Sequence, residues 1–484
     1  MFDILEKKQI SGDIIKHIDN SLPKSAYNTL NGYVIALEGW RRGLNLQIRV
    51  GYALRGSSRK VMFTLDDGKG TSYSFNSAST SKTTREARVT CINKELTKIA
   101  LEKSKIPQAI GKGFDQNVRR DDMLAFANKI GYPVVVKPSD GYGGKGITTN
   151  IRNDEQLIQA LEELKNDLKN KTKIIIEKHH IGNDFRLYVV GEEVVASAMR
   201  IPANIVGDGK STINELIKEK NNLRRKSKGP SNRSIIYEDE ELKTTLKEKK
   251  ITLDYIPQKD EQIFLKKKAN VSSGGESIDV TDEMRTEYKQ IAIDAVKSIK
   301  GLHIAAVDLL IDDDKQSAIV LEINTKPGLD IQIYPTYGRA RNLPEKLIDY
   351  LFPESIENKT INSRRMYFDY SNVYKMTYLD SVFHSVVIPP IPKAVVLRKY
   401  KIFLTKKHVN KFMRNVRHLA HRYRISGYIT KRDEHLILVT AGSKRSQREI
   451  KQLIEERLEK YDPSFEIEVM VRTYPVRQGF RIIK

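Results

Sequence analysis

Apolar and polar positions alternate over residues 44–50, which predicts a strand. Two further short apolar runs, 61–65 and 72–75, flank Asp66-Asp67-Gly68, a hairpin signal. With the helical stretch that ends at Arg41-Arg42-Gly43, they predict a small α/β domain over 28–80. Residues 1–25 read as a leader helix. A helical pattern over 92–104 (INKELTKIALEKS) stops before Ile106-Pro107. Strands are expected at 134–138, 173–177, 186–190 and 193–198, with a turn at Gly191, and at 304–311 and 318–324, joined through Asp312-Asp313-Asp314. A helix is expected from Leu343 to the Phe352-Pro353 boundary. Residues 220–260 are so polar and charged that they read as an insertion or mobile flap. Residues 356–394 are Tyr-rich and close on Pro389-Pro390-Ile391-Pro392, the mark of a linker. The tail, 395–484, runs strand, helix, strand, strand, helix, strand, the ferredoxin-like βαββαβ order.

Composition sharpens this division. The 484 residues suit about three domains, and 39% hydrophobic residues supply real cores. One cysteine, Cys91, excludes an intrachain disulfide and a Cys-rich zinc module, and suits a reducing compartment. The start, MFDILEKKQ, has no basic-then-apolar leader, and no run is long and apolar enough to span a membrane, so a cytoplasmic protein is expected. The net charge of +23 is unevenly spread. Residues 395–484 hold 22 Lys and Arg against 9 Asp and Glu, a net of +13; the other 394 residues carry the remaining +10. A basic excess of this kind suits nucleic acid or another anionic polymer. A solvated basic face packed against acidic surface is the alternative.

Chemistry concentrates in the middle. Gly141, Gly143, Gly144 and Gly146, with Lys145, lie between two predicted strands. Such a loop brings backbone N–H groups close to phosphate oxygens, or is a plain hairpin. It is neither a Walker A loop nor a dinucleotide fingerprint, because no helix opens after it. Lys137 ends the preceding strand, where it can meet a phosphate as a point charge or serve as an edge lysine. Asp308 sits inside an apolar strand, where a carboxylate is costly unless paired or metal-bound. Glu322 and Asn324 are two apart on a strand and share a face. The three oxygen donors suit a hard cation such as Mg²⁺, or form a structural hydrogen-bond cluster.

In their order, these pieces resemble the ATP-grasp superfamily. The wording is nearest to the ATP-grasp domain of cyanophycin synthetase and of the fused glutathione-forming ligases. The likeness is carried by VVVKPSDGYGGKGITTNI (134–151), IIIEKHHIGNDFRLYVVGEEVVASAMRIPANIVGDGKSTINELI (174–217), ANVSSGGESIDVTDEM (269–284) and AAVDLLIDDDKQSAIVLEINTKPGLDIQIYPTYG (305–338). It implies an α/β and α+β multidomain chain. An ATP-grasp fold of two α+β lobes clasping ATP (89–355) would follow a small α/β domain (1–88) and precede a ferredoxin-like domain (395–484). It implies Lys94 (or Lys98) and Lys137 on the nucleotide phosphates, and the loop Gly141–Gly146 as their lid. Glu177, Lys178 and His180 would read adenine at the hinge, and Asp184 the ribose. Asp308, Glu322 and Asn324 would hold Mg²⁺ (or Mn²⁺). Arg186 and Arg200 would stabilise the transferred phosphoryl or acyl-phosphate charge, with solvent-facing strand cations as the other reading. Gly328, Arg339 and Arg341 could frame a substrate carboxylate. The implied reaction joins a small carboxylate, such as an amino acid or peptide, to an amine in a homo-oligomeric enzyme. No second phosphate loop of the Gly-x-x-Gly-Lys-Ser/Thr kind follows, which disfavours two-amino-acid polymer synthesis.

The tail phrase ISGYITKRDEHLILVTAG resembles acylphosphatases. Aligned on Gly427, the positions that carry that family's phosphate-binding Arg and water-positioning Asn fall on Met413 and Lys431, which implies a domain that binds without hydrolysing. Two other classes stay open: an ATP-binding protein without turnover, and a nucleic-acid-associated factor led by the basic tail.

Overall fold

The computed structural model of this chain describes residues 30–50, 61–139, 146–167, 172–226, 234–359, 365–370, 373, 385–392, 394–404, 407–470, 472 and 474–483. The expected leader helix and the residues Gly141, Gly143, Gly144 and Lys145 lie outside them. Among the described residues no helix is long and apolar enough to cross a membrane. The chain divides into two compact units, one built on 81–343 and the other on 13–80 with 344–484.

The second unit begins with helix α1 (Leu30–Arg41) and strands β1 (Asn45–Val50), β2 (Val61–Asp66), β3 (Ser72–Asn76) and β4 (Ser79–Thr80). The hairpin forms where the sequence puts it: the Asp66 carboxylate accepts from Gly68 N at 2.8 Å, and the Asp67 carboxylate from Lys69 N at 2.7 Å. Tyr33, Ile35 and Trp40 of α1 are fully buried.

The first unit opens with two helices where one was expected, α2 (Arg85–Ile92) and α3 (Lys94–Lys103). Asn93 breaks the helix. Its extended backbone stops α2, and its side chain accepts from Glu95 N and Leu96 N to cap α3. There follow β5 (Gly111–Phe114), α4 (Arg120–Ile130), β6 (Val134–Pro138), β7 (Thr148–Ile151), α5 (Asp154–Asp167) and β8 (Ile174–Lys178). These strands make an antiparallel sheet in the order β5-β8-β6-β7. Its core gathers Phe114, Met123, Val134, Leu157, Leu161 and Ile176.

Next come β9 (Asn183–Val190), β10 (Glu193–Ile201), β11 (Asn204–Val206), α6 (Ile213–Lys226), α7 (Glu240–Glu248), β12 (Gln262–Phe264), β13 (Glu276–Asp279), α8 (Thr286–Lys297), β14 (Ile304–Asp312), β15 (Ser317–Asn324) and α9 (Asp330–Ile333). A second antiparallel sheet has the order β13-β10-β9-β14-β15. Leu187, Val189, Val307 and Leu309 point to one face and bury against α8. The period of two therefore turns Asp184, Arg186 and Asp308 to the other face.

The charged stretch 220–260 is not a bare flap. Its described residues join a small subdomain with its own core, in which Ile205, Ile213, Leu242, Leu246, Ile263 and Leu265 pack together. Charges on the solvent faces of α6 and α7 hide their apolar stripes from a composition reading.

The second unit resumes with α10 (Leu343–Leu351), β16 (Met366–Tyr367) and β17 (Ser385–Ile388). Here the expected linker is corrected. β17 pairs with β1, with Leu46 opposite Ile388 and Ile48 opposite Val386. Phe368 and Tyr370 pack against Tyr33 with ring centroids 5.2 and 4.8 Å apart, and Trp40 Nε1 donates to Pro389 O at 2.8 Å. Tyr370 and Phe368 are core side chains of this N-terminal layer. The tail comprises β18 (Val396–Phe403), α11 (Val409–Arg422), β19 (Ser426–Arg432), β20 (His435–Gly442), α12 (Lys444–Tyr461), β21 (Glu466–Met470), β22 (Val476–Arg477) and β23 (Phe480–Ile483). Its sheet order, β21-β18-β20-β19-β23, is the ferredoxin-like arrangement with β23 added at the edge. Phe412, Val416, Ala420, Ile450, Ile454 and Leu458 of the two helices bury against it. Gly427 is obligatory at its position: with φ +141°, an added Cβ would lie 2.0 Å from Val439 O.

Candidate active site

The polar face of the five-stranded sheet carries a dense set of charges. Pairing places Asp308 on β14 directly opposite Arg186 on β9 and Glu322 on β15, and Asp184 opposite Arg200 on β10. Arg186 donates through Nε and Nη2 to the two oxygens of Asp308, each at 2.8 Å. Arg200 donates from Nη2 to Asp308 at 2.9 Å and from Nε to Asp184 at 2.7 Å. Arg186 and Arg200 are therefore held in an ion network, not left as solvent-facing strand cations.

The environment separates the three carboxyls. Burial works to raise the Asp308 pKa, but Arg186 and Arg200 hold it below the usual carboxylate value. Asp184 is pushed up to about 6, chiefly by burial, with the Asp308 charge adding to it against Arg200. Glu322 is raised by burial and then by Asp308, with Lys94, Arg186 and Arg200 opposing.

The four-stranded sheet supplies a second set. Glu177 on β8 is 5% exposed and lies beneath two lysines. Lys137 Nζ is 2.5 Å from Glu177 Oε1, and Lys98 Nζ is 3.4 Å from Oε2 and 2.6 Å from Ala109 O. Burial would raise the Glu177 pKa, yet the two lysines bring it below the ordinary value; burial lowers that of Lys98. A single cleft is lined by Lys94, Lys98, Lys137 and Glu177 on one side and Glu322 on the other. Lys94 N also donates to Ser139 O at 3.3 Å, immediately before the glycine loop. Lys94 and Lys98 thus both face the cleft, each near a different carboxylate. Their i, i+4 spacing puts both on one face of α3.

The hinge residues divide their roles. Lys178 turns its ammonium away, donating to Gly131 O and Tyr132 O at 2.9 and 2.8 Å, and its N–H goes to Ile110 O. His179 N donates to Pro133 O. Burial lowers the His180 pKa, and its Nε2 is buried without a partner among the described residues. Ile110 and Ile181 stand 67% and 74% exposed beside this hinge, apolar surface that sequence reading did not single out. Gly146, the one loop glycine described, has φ +68°. Arg341 grips Asp279 and Asp282, with Nη2 at 2.6 and 2.8 Å. Arg339 is exposed.

The donors present fit a hard cation. Glu322 makes no hydrogen bond among the described residues and faces Asp308, a crowding that a divalent ion relieves. Asn324 follows two residues on. Among the described residues no group of three or more His, Cys, Asp or Glu side chains gathers as a metal site. A cation held here would therefore fill its shell with phosphate and water oxygens, the habit of Mg²⁺.

Comparison with known proteins bears directly on this geometry. Residues 93–183 match the family described as the ATP-binding domain of the carbamoyl-phosphate synthase L chain, and residues 254–351 match the RimK-like ATP-grasp domain. The middle of this chain thus matches an ATP-binding and an ATP-grasp domain. The chain is 34% identical over 274 residues to cyanophycin synthetase of Synechocystis, covering 55% of this chain and 31% of that protein. It is 34% identical over 277 residues to the glutathione biosynthesis bifunctional protein GshAB of Pasteurella multocida, covering 54% and 35%. The crystal structure of the bifunctional glutathione synthetase from Pasteurella multocida aligns at TM-score 0.46 with 31% identity, over 60% of this chain and 41% of that one. The chain spans about a third of the length of these curated relatives.

Proposed function

We propose that this ATP-grasp chain is an ATP-dependent ligase that joins a small carboxylate to an amine through an acyl phosphate. One observation carries the reading: Glu322, whose register partner Asp308 is gripped by two arginines, lines the same cleft as Lys137, Lys98 and Glu177. The adenine would enter between Ile110 and Ile181 at the hinge, near Glu177, Lys178 and His180, and the ribose hydroxyls would meet Asp184. Lys94 and Lys137 would hold phosphate oxygens, beneath the loop that carries Gly141, Gly143, Gly144, Lys145 and Gly146.

Asp308, Glu322 and Asn324 would hold Mg²⁺ or Mn²⁺, which neutralises charge on the phosphate oxygens when bound. The substrate carboxylate oxygen attacks the γ-phosphorus, and the bond to the ADP oxygen breaks. Arg186 and Arg200, kept in place by Asp308 and Asp184, stabilise the charge that builds on the transferred group. The amine then attacks the acyl carbon, inorganic phosphate leaves, and the amide forms with loss of a proton. Catalysis of this type is positioning and electrostatics, with fixed dipoles waiting where charge develops. The test is ADP and phosphate release across amino acids, small peptides and polycarboxylates offered pairwise. Release that never exceeds the ATP-only background would overturn the ligase reading.

A pH prediction follows. Cation binding needs Glu322 ionised, and its pKa lies above the ordinary value. The Arg200 anchor needs Asp184 ionised, and Asp184 titrates at about 6. Lowering pH from 7.5 to 5.5 takes Asp184 through its titration, and acid also favours the neutral form of Glu322, so Mg²⁺-dependent nucleotide affinity should fall across that window. Calorimetric titration giving the same affinity at both values would count against these assignments.

For the tail we propose an acylphosphatase-like domain that does not hydrolyse. Met413 is 5% exposed within the α11 core and Lys431 lies on the exposed end of β19. Benzoyl phosphate should be cleaved no faster by the chain than by buffer.

A further inference from the structure

We infer that the solvent face of α11, continued by the first turns of α12, is a docking surface for the phosphate backbone of a double-stranded nucleic acid. Helix α11 contains no acidic residue. Val409, Phe412, Met413, Val416 and Ala420 bury one side, and the other presents Lys411, Arg414, Arg417, His418, His421 and Arg422, all exposed. From Lys411 to Arg422 the row runs about 16 Å at the helical rise of 1.5 Å per residue. Among the described residues no carboxylate pairs with Arg414, Arg417 or Arg422.

The neighbouring helix lengthens the surface. Asn415 bonds Tyr461 Oη at 2.5 Å and His408 stacks on the Tyr461 ring, so the N-terminal half of α11 lies beside the C-terminal end of α12. The first turns of α12 add Lys444, Arg445 and Arg448, all exposed, with Arg445 paired to Glu449 at 2.8 Å. Cations in the first turn of a helix oppose its dipole, and α12 has no acid there. Apart from the Arg445–Glu449 pair, helix stability therefore does not explain them, whereas a polyanion lying across both helices does.

The occupant follows from what the face lacks. Single-strand binders offer aromatic rings for base stacking. Here Tyr423 and Tyr461 pack against the core with Arg422 and Lys411 over their rings. Phe403, Tyr428 and Tyr474 lie on the strands and after β21, not on the helices. A row of Arg and Lys along a helix in a protein of pI about 9.6 is the footprint of backbone recognition.

The experiment measures fluorescence anisotropy of labelled 24-base-pair duplex RNA and duplex DNA with the full chain at 50, 100 and 200 mM salt. If about five phosphates are neutralised, log affinity should fall with log salt at a slope of roughly −4.5. The triple variant Arg414→Glu, Arg417→Glu, Arg422→Glu should bind about 100-fold more weakly while keeping its circular dichroism spectrum and nucleotide affinity. A control with equal charge change, Lys103→Glu, Lys129→Glu, Lys259→Glu, should bind as the parent does. Tighter binding of either duplex type supports the inference and tells RNA from DNA. No binding of either duplex at 50 mM salt would overturn it. So would an unaffected triple variant, equal weakening in the control, or displacement of the duplex by poly-L-glutamate at equal charge.

Discussion

Glu322→Ala should reduce substrate-dependent ADP release by about a thousandfold or more, the scale of losing one electrostatic support at a transferring phosphoryl group, while the protein stays folded. Glu322 is half-buried on β15, makes no hydrogen bond among the described residues, and faces Asp308. Its removal should even relieve repulsion, so thermal stability should hold or rise. That combination separates a ligand-holding carboxylate from a structural one. A variant that keeps full turnover would end the cation assignment, and one that unfolds would recast Glu322 as structural. The readouts are coupled ADP detection and a melting curve run without nucleotide. Glu322→Gln should fail in the same way, because it keeps the shape and loses the charge.

Arg186→Met should have the opposite signature, a large loss of stability. Asp308 is 4% exposed and its two oxygens accept from Arg186 and Arg200. Removing Arg186 strands a buried carboxylate with one partner, and breaking a buried pair in this way costs about 3–5 kcal/mol. In a unit of this size that lowers the melting temperature by roughly 10 °C. The double variant Arg186→Met, Asp308→Leu should recover most of the lost stability, since a well-packed apolar pair often matches a buried ion pair. It should remain inactive, because both groups are proposed to act on the phosphoryl charge. A single variant as stable as the parent would mean that the network is solvated in solution.

Which side chains would meet was legible only in part. Asp308 stood out because a carboxylate inside His303-Ile304-Ala305-Ala306-Val307 demands a partner, and Glu322 with Asn324 because a spacing of two shares a strand face. The partner itself was not readable. Arg186 lies 122 residues away and reaches Asp308 only through the β9–β14 register. Lys98 was ranked behind Lys94, yet both line the cleft, because one turn of α3 separates them. Arg341 was offered to a substrate, and its pairing with Asp279 and Asp282, 59 or more residues away, was not readable.

Domain organisation divides along the same line. The order of motifs along the chain, with its strand lysine, glycine loop and Glu-x-Asn strand, was enough to point to an ATP-grasp domain. The βαββαβ order and the local excess of charge were enough to mark out the tail. Those properties are local, set by side-chain periodicity and by the few residue types that suit phosphate and cations. The fate of residues 356–394 was not local. Prolines and polar residues made them look like a linker, but β17 completes the sheet begun by β1, some 340 residues earlier, and Phe368 and Tyr370 fill the space beside Tyr33. Strand pairing and ring packing are decided by whatever surface is left unpaired once the rest has folded, and that surface exists only in three dimensions.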